Sequence, residues 1–202
     1  MIYTIVQAIL IFGMPQSLLY YFPRKETHEH PLLIKQTWTI LLFSSLMVMA
    51  IFWLSSQIIG THHLKEYLVL LGIYTSLMIF VMPIQNLLTL EGKISTAMWL
   101  MVFFTIIDLA VLPSAAWLNP TTLGIVHGII VAALLKAIMV LFHVYTTYFT
   151  KEISGNSYIK EQLAYGIPVG LTAMVYVINV NVDKYLVGLF FSSSVFAVYY
   201  LG

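Results

Sequence analysis

The stretch "YGIPVGLTAMVYVINVNVDKYLVGLFF", residues 165–191, decides the kind of fold that this chain can form. Its side chains are mostly apolar over more than the ~20 residues that a helix needs to cross a bilayer. An acid and a base, Asp183 and Lys184, nevertheless stand near its end, and two asparagines, Asn179 and Asn181, lead up to them. The meaning of these polar groups depends on the solvent around the chain.

The composition indicates that this solvent is a lipid bilayer. Of the 202 residues, 60% are hydrophobic and only 8% are charged, whereas a soluble domain carries about 25% charged residues. The mean hydropathy is +0.94. The net charge of +1 provides no basic field for a nucleic acid. The absence of cysteine excludes disulfides, thiolate metal sites and a cysteine nucleophile.

Long apolar runs recur along the chain and predict an all-α, polytopic membrane helix bundle. Each run is too long for a barrel strand, which needs ~10 residues of alternating polarity. A further run starts at Val195, so we expect six complete transmembrane helices and the beginning of a seventh. The six runs cover residues 1–22, 37–59, 67–90, 96–118, 122–149 and 162–191.

The basic residues of the polar connectors predict the orientation. The first, third and fifth connectors hold six of them and the second and fourth hold one, Lys65. This bias places the odd connectors in the cytoplasm and the amino terminus outside. Because nothing ahead of the first run would direct the terminus outward, we expect a preceding helix to be missing. The six basic residues are Arg24, Lys25, Lys35, Lys93, Lys151 and Lys160.

Two charged residues lie near the middle of successive, antiparallel runs. Asp108 stands in "FFTIIDLAVLP" and Lys136 in "VAALLKAIMVLFH". A charge at mid-bilayer costs ~2.5–3.5 kcal/mol on insertion scales, so both side chains should face protein or water. We predict that they pair, either as a structural tie between two helices or as part of a polar translocation cavity.

A second group of polar residues forms a stripe in the opening stretch. Thr172, Tyr176, Asn179 and Asp183 follow at intervals of four, three and four residues, which aligns them on one face of a continuous helix. Asn181 and Lys184 lie on the adjoining face. Such a stripe is expected to line a wet cavity, with a hydrogen-bonded helix seam as the alternative.

Four of the six runs contain a proline that is expected to break the helix. Pro15 and Pro168 stand beside glycines in "FGMPQS" and "GIPVG", and Pro83 and Pro113 interrupt two further runs. Broken helices of this kind are typical of carriers that alternate between two conformations.

The sequence offers no residues for catalysis. It has no HExxH, Walker A or Gly-x-Ser-x-Gly motif and no cluster of metal-ligand side chains at a suitable spacing. We therefore predict a protein that is not an enzyme and that has no metal or organic cofactor.

The segment "YGIPVGLTAMVYVINVNVDKYLVGLFFSSSVFAVYYLG" resembles the start of the second half of polysaccharide flippases, of the multidrug/oligosaccharidyl-lipid/polysaccharide exporter superfamily. The matching features are a helix with an apolar-Pro-apolar start, an Asp-Lys pair and a Gly-apolar-Tyr signature, in which Ala197 replaces the glycine. "IFGMPQSLLYYFPRKE" looks like the family's second helix, and "NLLTLEGKIST" looks like its fourth.

The resemblance implies a division of the chain into two parts. Residues 1–150 would form the remainder of the amino-terminal bundle, with family helices two to six. Residues 151–202 would hold a connector, helix seven and the start of helix eight. Helix seven, with its polar stripe, would border the central cavity.

The resemblance also implies a function. Such proteins move an undecaprenyl-pyrophosphate-linked oligosaccharide across the bacterial inner membrane, so the expected partners are the bilayer, this lipid-linked glycan and the polysaccharide polymerase machinery. Asp108 or Asp183 would be the candidate for coupling to H⁺ or Na⁺. The alternatives are a cation-coupled multidrug exporter of the same superfamily and an integral-membrane glycan transferase or ligase.

Overall fold

The computed structural model describes residues 11–58, 62–150 and 157–191, together with Val195, Val198 and Tyr199. Within these residues the regular secondary structure is helical, which confirms the predicted all-α class. Five helical segments are long and apolar enough to cross a membrane: His30–Ile58, Lys65–Leu90, Ile94–Leu118, Thr122–Phe149 and Ile159–Val180. The chain is therefore a multi-pass membrane protein.

The described residues form eight α-helices and two short turns of other helix types. A 3₁₀ turn, Phe22–Arg24, follows the first helix, and a π-helical turn, Tyr145–Phe149, follows the sixth. The α-helices are α1 (Met14–Tyr21), α2 (His30–Ile58), α3 (His62–Val81), α4 (Pro83–Leu90), α5 (Ile94–Leu118), α6 (Thr122–Val144), α7 (Ile159–Val180) and α8 (Val182–Phe190).

Two of the predicted runs extend into residues that the structure does not describe. The first run, 1–22, is described only from residue 11 onward. The run that was expected to start at Val195 lies outside the described residues except for Val195, Val198 and Tyr199. The Gly-apolar-Tyr signature therefore lies partly outside the described residues as well.

The second run starts earlier than its apolar pattern predicts. Helix α2 begins at His30 rather than at residue 37, and it takes in a segment that was expected to be a connector. Pro31 follows His30 immediately, and proline suits the first turn of a helix because the amide hydrogen that it lacks has no partner there. Leu33 and Ile34 are completely buried, so this first turn belongs to the core.

The predicted proline breaks are right at two positions and wrong at two others. Pro15 and Pro83 stand at the starts of α1 and α4, so the chain is interrupted before each of them. Pro113 and Pro168 lie inside α5 and α7, whose helical structure continues through them. A proline removes one backbone hydrogen bond, but unpaired backbone is so costly in hydrocarbon that the other bonds hold a long apolar helix together.

Helix α2 contacts α1, α3, α7 and the π-helical turn. It packs along α3, which in turn packs against α6, and α6 packs against α5. The main core joins Leu33 and Trp38 of α2 to Ile84 of α4 and Val140 of α6. Helix α7 contacts α1 and α2, so the segment after the fifth connector is tied to the helices before it.

Helices α1 and α7 meet at two glycines. Gly13 has a φ of 59°, and a Cβ atom added to it would lie 2.2 Å from the carbonyl oxygen of Gly166. A Cβ atom on Gly166 would lie equally close to the carbonyl oxygen of Phe12. The Gly-Met-Pro and Gly-Ile-Pro motifs therefore let two backbones come into direct contact, which side chains would prevent.

Candidate functional site

The two mid-membrane charges form an ion pair between α5 and α6. The Lys136 ammonium donates hydrogen bonds to both carboxylate oxygens of Asp108, each at 2.6 Å. The predicted pairing is thereby confirmed. The pair forms because consecutive antiparallel spans place residues from their middles at the same depth.

The two partners of this pair are buried to different degrees. The side chain of Lys136 is 10% exposed and that of Asp108 is 42% exposed. The Lys136 nitrogen also lies 5.8 Å from the centre of the Phe104 ring, within the range of a cation–π attraction. The cation is therefore held inside the bundle, whereas its carboxylate partner is accessible from outside.

A cleft of about 330 Å³ opens beside the pair. Its volume is at the lower end of the ~300–1,000 Å³ that is usual for ligand pockets. Asp108 and Lys136 line it together with Tyr74 and Met78 of α3 and residues of α5 and α6. A polar group in this cleft would lie beside both members of the pair.

The polar stripe of α7 lies on the exposed side of its helix. Thr172 and Asn179 are exposed, and Tyr176 is 67% exposed. The buried residues of α7, which are Gln162, Gly166 and Gly170, lie between its start and its middle and pack against the bundle. The stripe and the ion pair are separate features, and the prediction that the stripe faces a wet cavity stays a prediction.

The expectation of one continuous helix through residue 191 is wrong. Helix α7 ends at Val180 and α8 begins at Val182. The Asn181 side chain donates to the carbonyl oxygen of Val177 at 2.8 Å, the oxygen that the amide of Asn181 would use in a regular helix. That amide donates to Ile178 instead. Side-chain competition of this kind is a known cause of helix interruption.

The interruption separates the last predicted stripe residue from the other three. Asp183 lies in α8, where its carboxylate accepts a hydrogen bond from the Tyr199 hydroxyl at 2.5 Å. Lys184 lies 3.4 Å from the side-chain oxygen of Asn181. The structure thus joins Asp183 to Tyr199 and Lys184 to Asn181, and it leaves Thr172, Tyr176 and Asn179 together on α7.

A polar network at the start of α7 is a feature that the sequence analysis missed. Gln162 is completely buried and donates to the carbonyl oxygen of Leu33 at 3.3 Å. The backbone amide of Tyr158 donates to the side chain of Gln36 at 2.8 Å. Two amide side chains near the ends of apolar runs, in "IKQTWT" and "KEQLAY", were the available signal.

Charged and phenolic groups extend this network beyond the membrane spans. The Tyr158 hydroxyl donates to the Glu29 carboxylate. This hydrogen bond lowers the pKa of Glu29 and raises the pKa of Tyr158 to about 12. Lys25 lies 3.7 Å from the Glu161 carboxylate and 3.8 Å from the centre of the Tyr158 ring.

These contacts place the odd connectors at one end of the bundle. Lys25 and Glu29 join the first connector to the fifth. In the third connector, Glu91 accepts a hydrogen bond of 2.5 Å from Tyr148, near the end of the span that precedes the fifth connector. This arrangement agrees with the orientation that the basic residues predict.

Among the described ranges, no group of three or more histidine and carboxylate side chains could hold a metal ion. The absence of a cofactor stays a prediction. The chemistry available at Asp108 and Lys136 is the binding of ions and hydrogen-bonding groups.

The model of a protein family described as "Polysaccharide biosynthesis protein" matches residues 1–202, the whole length of the chain. No curated protein and no solved structure is significantly similar to it.

Proposed function

We propose that this chain, which belongs to the polysaccharide biosynthesis protein family, moves a lipid-linked oligosaccharide across the bacterial inner membrane. The family and the multi-pass fold support a role in membrane transport for polysaccharide biosynthesis. The undecaprenyl-pyrophosphate carrier, the direction towards the outer leaflet and the alternating-access mechanism belong to the proposal.

The observation that carries the proposal is the ion pair beside an open cleft at mid-membrane depth. A sugar–pyrophosphate headgroup cannot cross ~30 Å of hydrocarbon unaided. An intramembrane ionisable residue is expensive and commonly marks a substrate or ion pathway. Lys136 places a cation at this depth, and the exposed Asp108 makes the pair accessible from the cleft.

In this mechanism Asp108 neutralises Lys136 when the cleft holds no substrate. An arriving anionic headgroup competes with the carboxylate for the ammonium group. Displaced Asp108 then becomes a site for H⁺ or Na⁺, which couples transport to an ion gradient. The ion pair therefore switches between an internal contact and a contact with the substrate.

The exposed side chains of α7 serve as a second polar surface in this proposal. Thr172, Tyr176 and Asn179 offer hydroxyl and amide groups, which suit hydrogen bonding to sugar hydroxyls. Asp183 and Lys184 follow the helix interruption and lie at the carboxyl-terminal end of this surface. The lipid tail stays in the bilayer, because the neighbouring helical surface is apolar.

The test is complementation of a bacterial strain that lacks the gene. Lys136→Ala should abolish surface polysaccharide and leave completed lipid-linked glycan on the cytoplasmic side of the membrane. Lys136→Arg, which keeps the charge, should retain export. An equal level of the Lys136→Ala protein in the membrane is the required control.

Two outcomes would contradict the proposal. Recovery of export by Lys136→Ala combined with Asp108→Ala would show that the pair is a structural tie only. Accumulation of shortened glycans rather than completed ones would indicate a glycan transferase.

A further inference from the structure

The cleft beside the ion pair continues into an apolar groove between α3 and α6. The groove has a volume of about 360 Å³, and two residues, Tyr74 and Ile129, line both the groove and the cleft. Tyr67 and Leu70 of α3 and Ile130 of α6 belong to its other walls. All of these side chains are half-buried, so the groove is a depression that the chain of a lipid can enter from the bilayer.

The groove and the cleft together match one leaflet of a bilayer in length. Along α3 the lining extends from Tyr67 to Met78, which are 11 residues apart and therefore about 16 Å apart along a helix. Half of the ~30 Å hydrocarbon core is about 15 Å. Tyr67 lies near the start of the span Lys65–Leu90 and Met78 lies near its middle. The groove therefore leads from the ion pair at the membrane centre to the interface at the second and fourth connectors.

The charges of this depression stand at its mid-membrane end. Asp108 and Lys136 line the cleft, whereas aliphatic side chains and two tyrosines line the groove. A ligand that fits both parts has its polar group at the membrane centre and its apolar chain towards the interface. A phospholipid of that leaflet has the reverse arrangement, with its headgroup at the interface. Its chain end would cover the partly exposed Asp108 carboxylate, and such a loss of polar contacts is costly for a charged group.

We propose that this groove holds the first isoprenoid units of the lipid-linked oligosaccharide while the pyrophosphate lies in the cleft. The inference rests on the proposed function and adds to it a binding site for the prenyl chain. In such a lipid the pyrophosphate is bonded directly to the chain, so an anion beside Lys136 places the start of the chain between α3 and α6. The rest of the chain stays in the bilayer, in the leaflet at the second and fourth connectors.

Photocrosslinking in vesicles tests this proposal with the whole chain. The probe is undecaprenyl pyrophosphate with a diazirine on an isoprenoid unit close to the pyrophosphate, and mass spectrometry locates the labelled residues. We expect labelling of the groove walls, at Leu70 or Ile130. An excess of unlabelled undecaprenyl pyrophosphate should abolish this labelling, and an excess of phosphatidylglycerol should not.

Three variants separate the groove from the general lipid surface. Ile130→Phe and Leu70→Phe narrow the groove from opposite walls, and each should reduce the labelling about tenfold, because the loss of two buried CH₂ groups already corresponds to that factor. Ile125→Phe is the matched control, since Ile125 lies on the same helix, is 42% exposed and does not line the groove. Labelling that neither groove variant reduces would overturn the proposal.

Three further outcomes would also overturn it, with different consequences for the proposed function. Labelling outside the groove that undecaprenyl pyrophosphate abolishes would place the chain elsewhere and leave the proposed function intact. Labelling of the groove that phosphatidylglycerol abolishes equally would identify a resident phospholipid, again without an effect on the proposed function. If unlabelled undecaprenyl pyrophosphate reduces the labelling of no residue, the protein does not bind this lipid, and the proposed function fails together with the inference.

Discussion

Two sets of polar residues in apolar helices have different surroundings in this protein. Asp108 and Lys136 point towards each other and tie α5 to α6. Thr172, Tyr176 and Asn179 stand on the exposed side of α7. In the sequence the two sets look alike, because both consist of isolated polar residues in apolar segments.

The difference shows that polarity within a membrane helix has two distinct uses. A charge whose partner lies at the same depth on a neighbouring helix forms an internal bond. An aligned row of uncharged polar groups without such a partner forms a surface. Helix α7 carries both kinds of surface, because its first half buries Gln162 and Gly166 whereas its second half exposes the stripe.

The largest expected effect comes from breaking the ion pair. Asp108→Ala leaves the Lys136 cation buried without its carboxylate, and we expect a loss of about 3 kcal/mol in the free energy of unfolding. Lys136→Ala should cost less, because the Asp108 side chain that remains is 42% exposed. Unfolding of the detergent-solubilised protein by sodium dodecyl sulfate measures both values. Equal losses in the two variants would contradict the difference in burial.

A smaller effect is expected on the packed side of α7. Gly166→Ala adds a Cβ atom 2.2 Å from the carbonyl oxygen of Phe12, so α1 and α7 must separate. Overpacking of this kind costs about 1–3 kcal/mol. The same unfolding titration measures it, and Thr172→Ala on the exposed side of α7 is the control. A Gly166→Ala protein as stable as that control would show that the two helices do not meet at this glycine.

The bond between Tyr158 and Glu29 should make a still smaller, pH-dependent contribution to stability. Because the pKa of Glu29 is lowered, its carboxylate stabilises the fold at pH values above the ordinary carboxyl pKa of 4.5. This stabilisation is lost as the pH falls through the lowered pKa. The raised pKa of Tyr158 acts in the opposite sense. Its contribution to stability is complete below pH 10.0 and is lost as the pH rises towards about 12.

Thermal unfolding from pH 3 to 11 tests this contribution. The melting temperature of the unsubstituted protein should exceed that of Tyr158→Phe at neutral pH, and the difference should shrink at both extremes. Glu29→Gln, which cannot titrate, should remove the acidic part of the pH dependence. A constant difference over the whole range would contradict the bond between the two side chains.

The smallest effect on stability is expected from the polar stripe. Asn179→Leu and Tyr176→Phe should each change the free energy of unfolding by less than about 0.5 kcal/mol, as is usual for exposed positions. Single cysteines at positions 172, 176 and 179 should react with a water-soluble maleimide, with a cysteine in place of the completely buried Ser44 as the control. Protection at all three stripe positions would make the stripe a packing seam rather than a wet surface.

Parts of the fold and of the site could be predicted from local features alone. The spans follow from their length and hydropathy, and the pairing of Asp108 with Lys136 follows from their similar depth on antiparallel helices. The early start of α2 could not be predicted, because Gln36 is polar and its bonds to Ser157 and Tyr158 are what satisfy it in its buried position. The interruption at Asn181 depends on whether its side chain donates a hydrogen bond to solvent or to the carbonyl oxygen of Val177.

The amino-acid sequence is sufficient to specify a helical membrane protein, because hydrophobic transfer energy adds up residue by residue along each span. Its positive charges also predicted which connectors share one end. The arrangement of the helices in space sets which polar groups meet and which part of α7 is packed. Those outcomes depend on the rotation and contact of whole helices, and interactions between residues distant in the chain determine both.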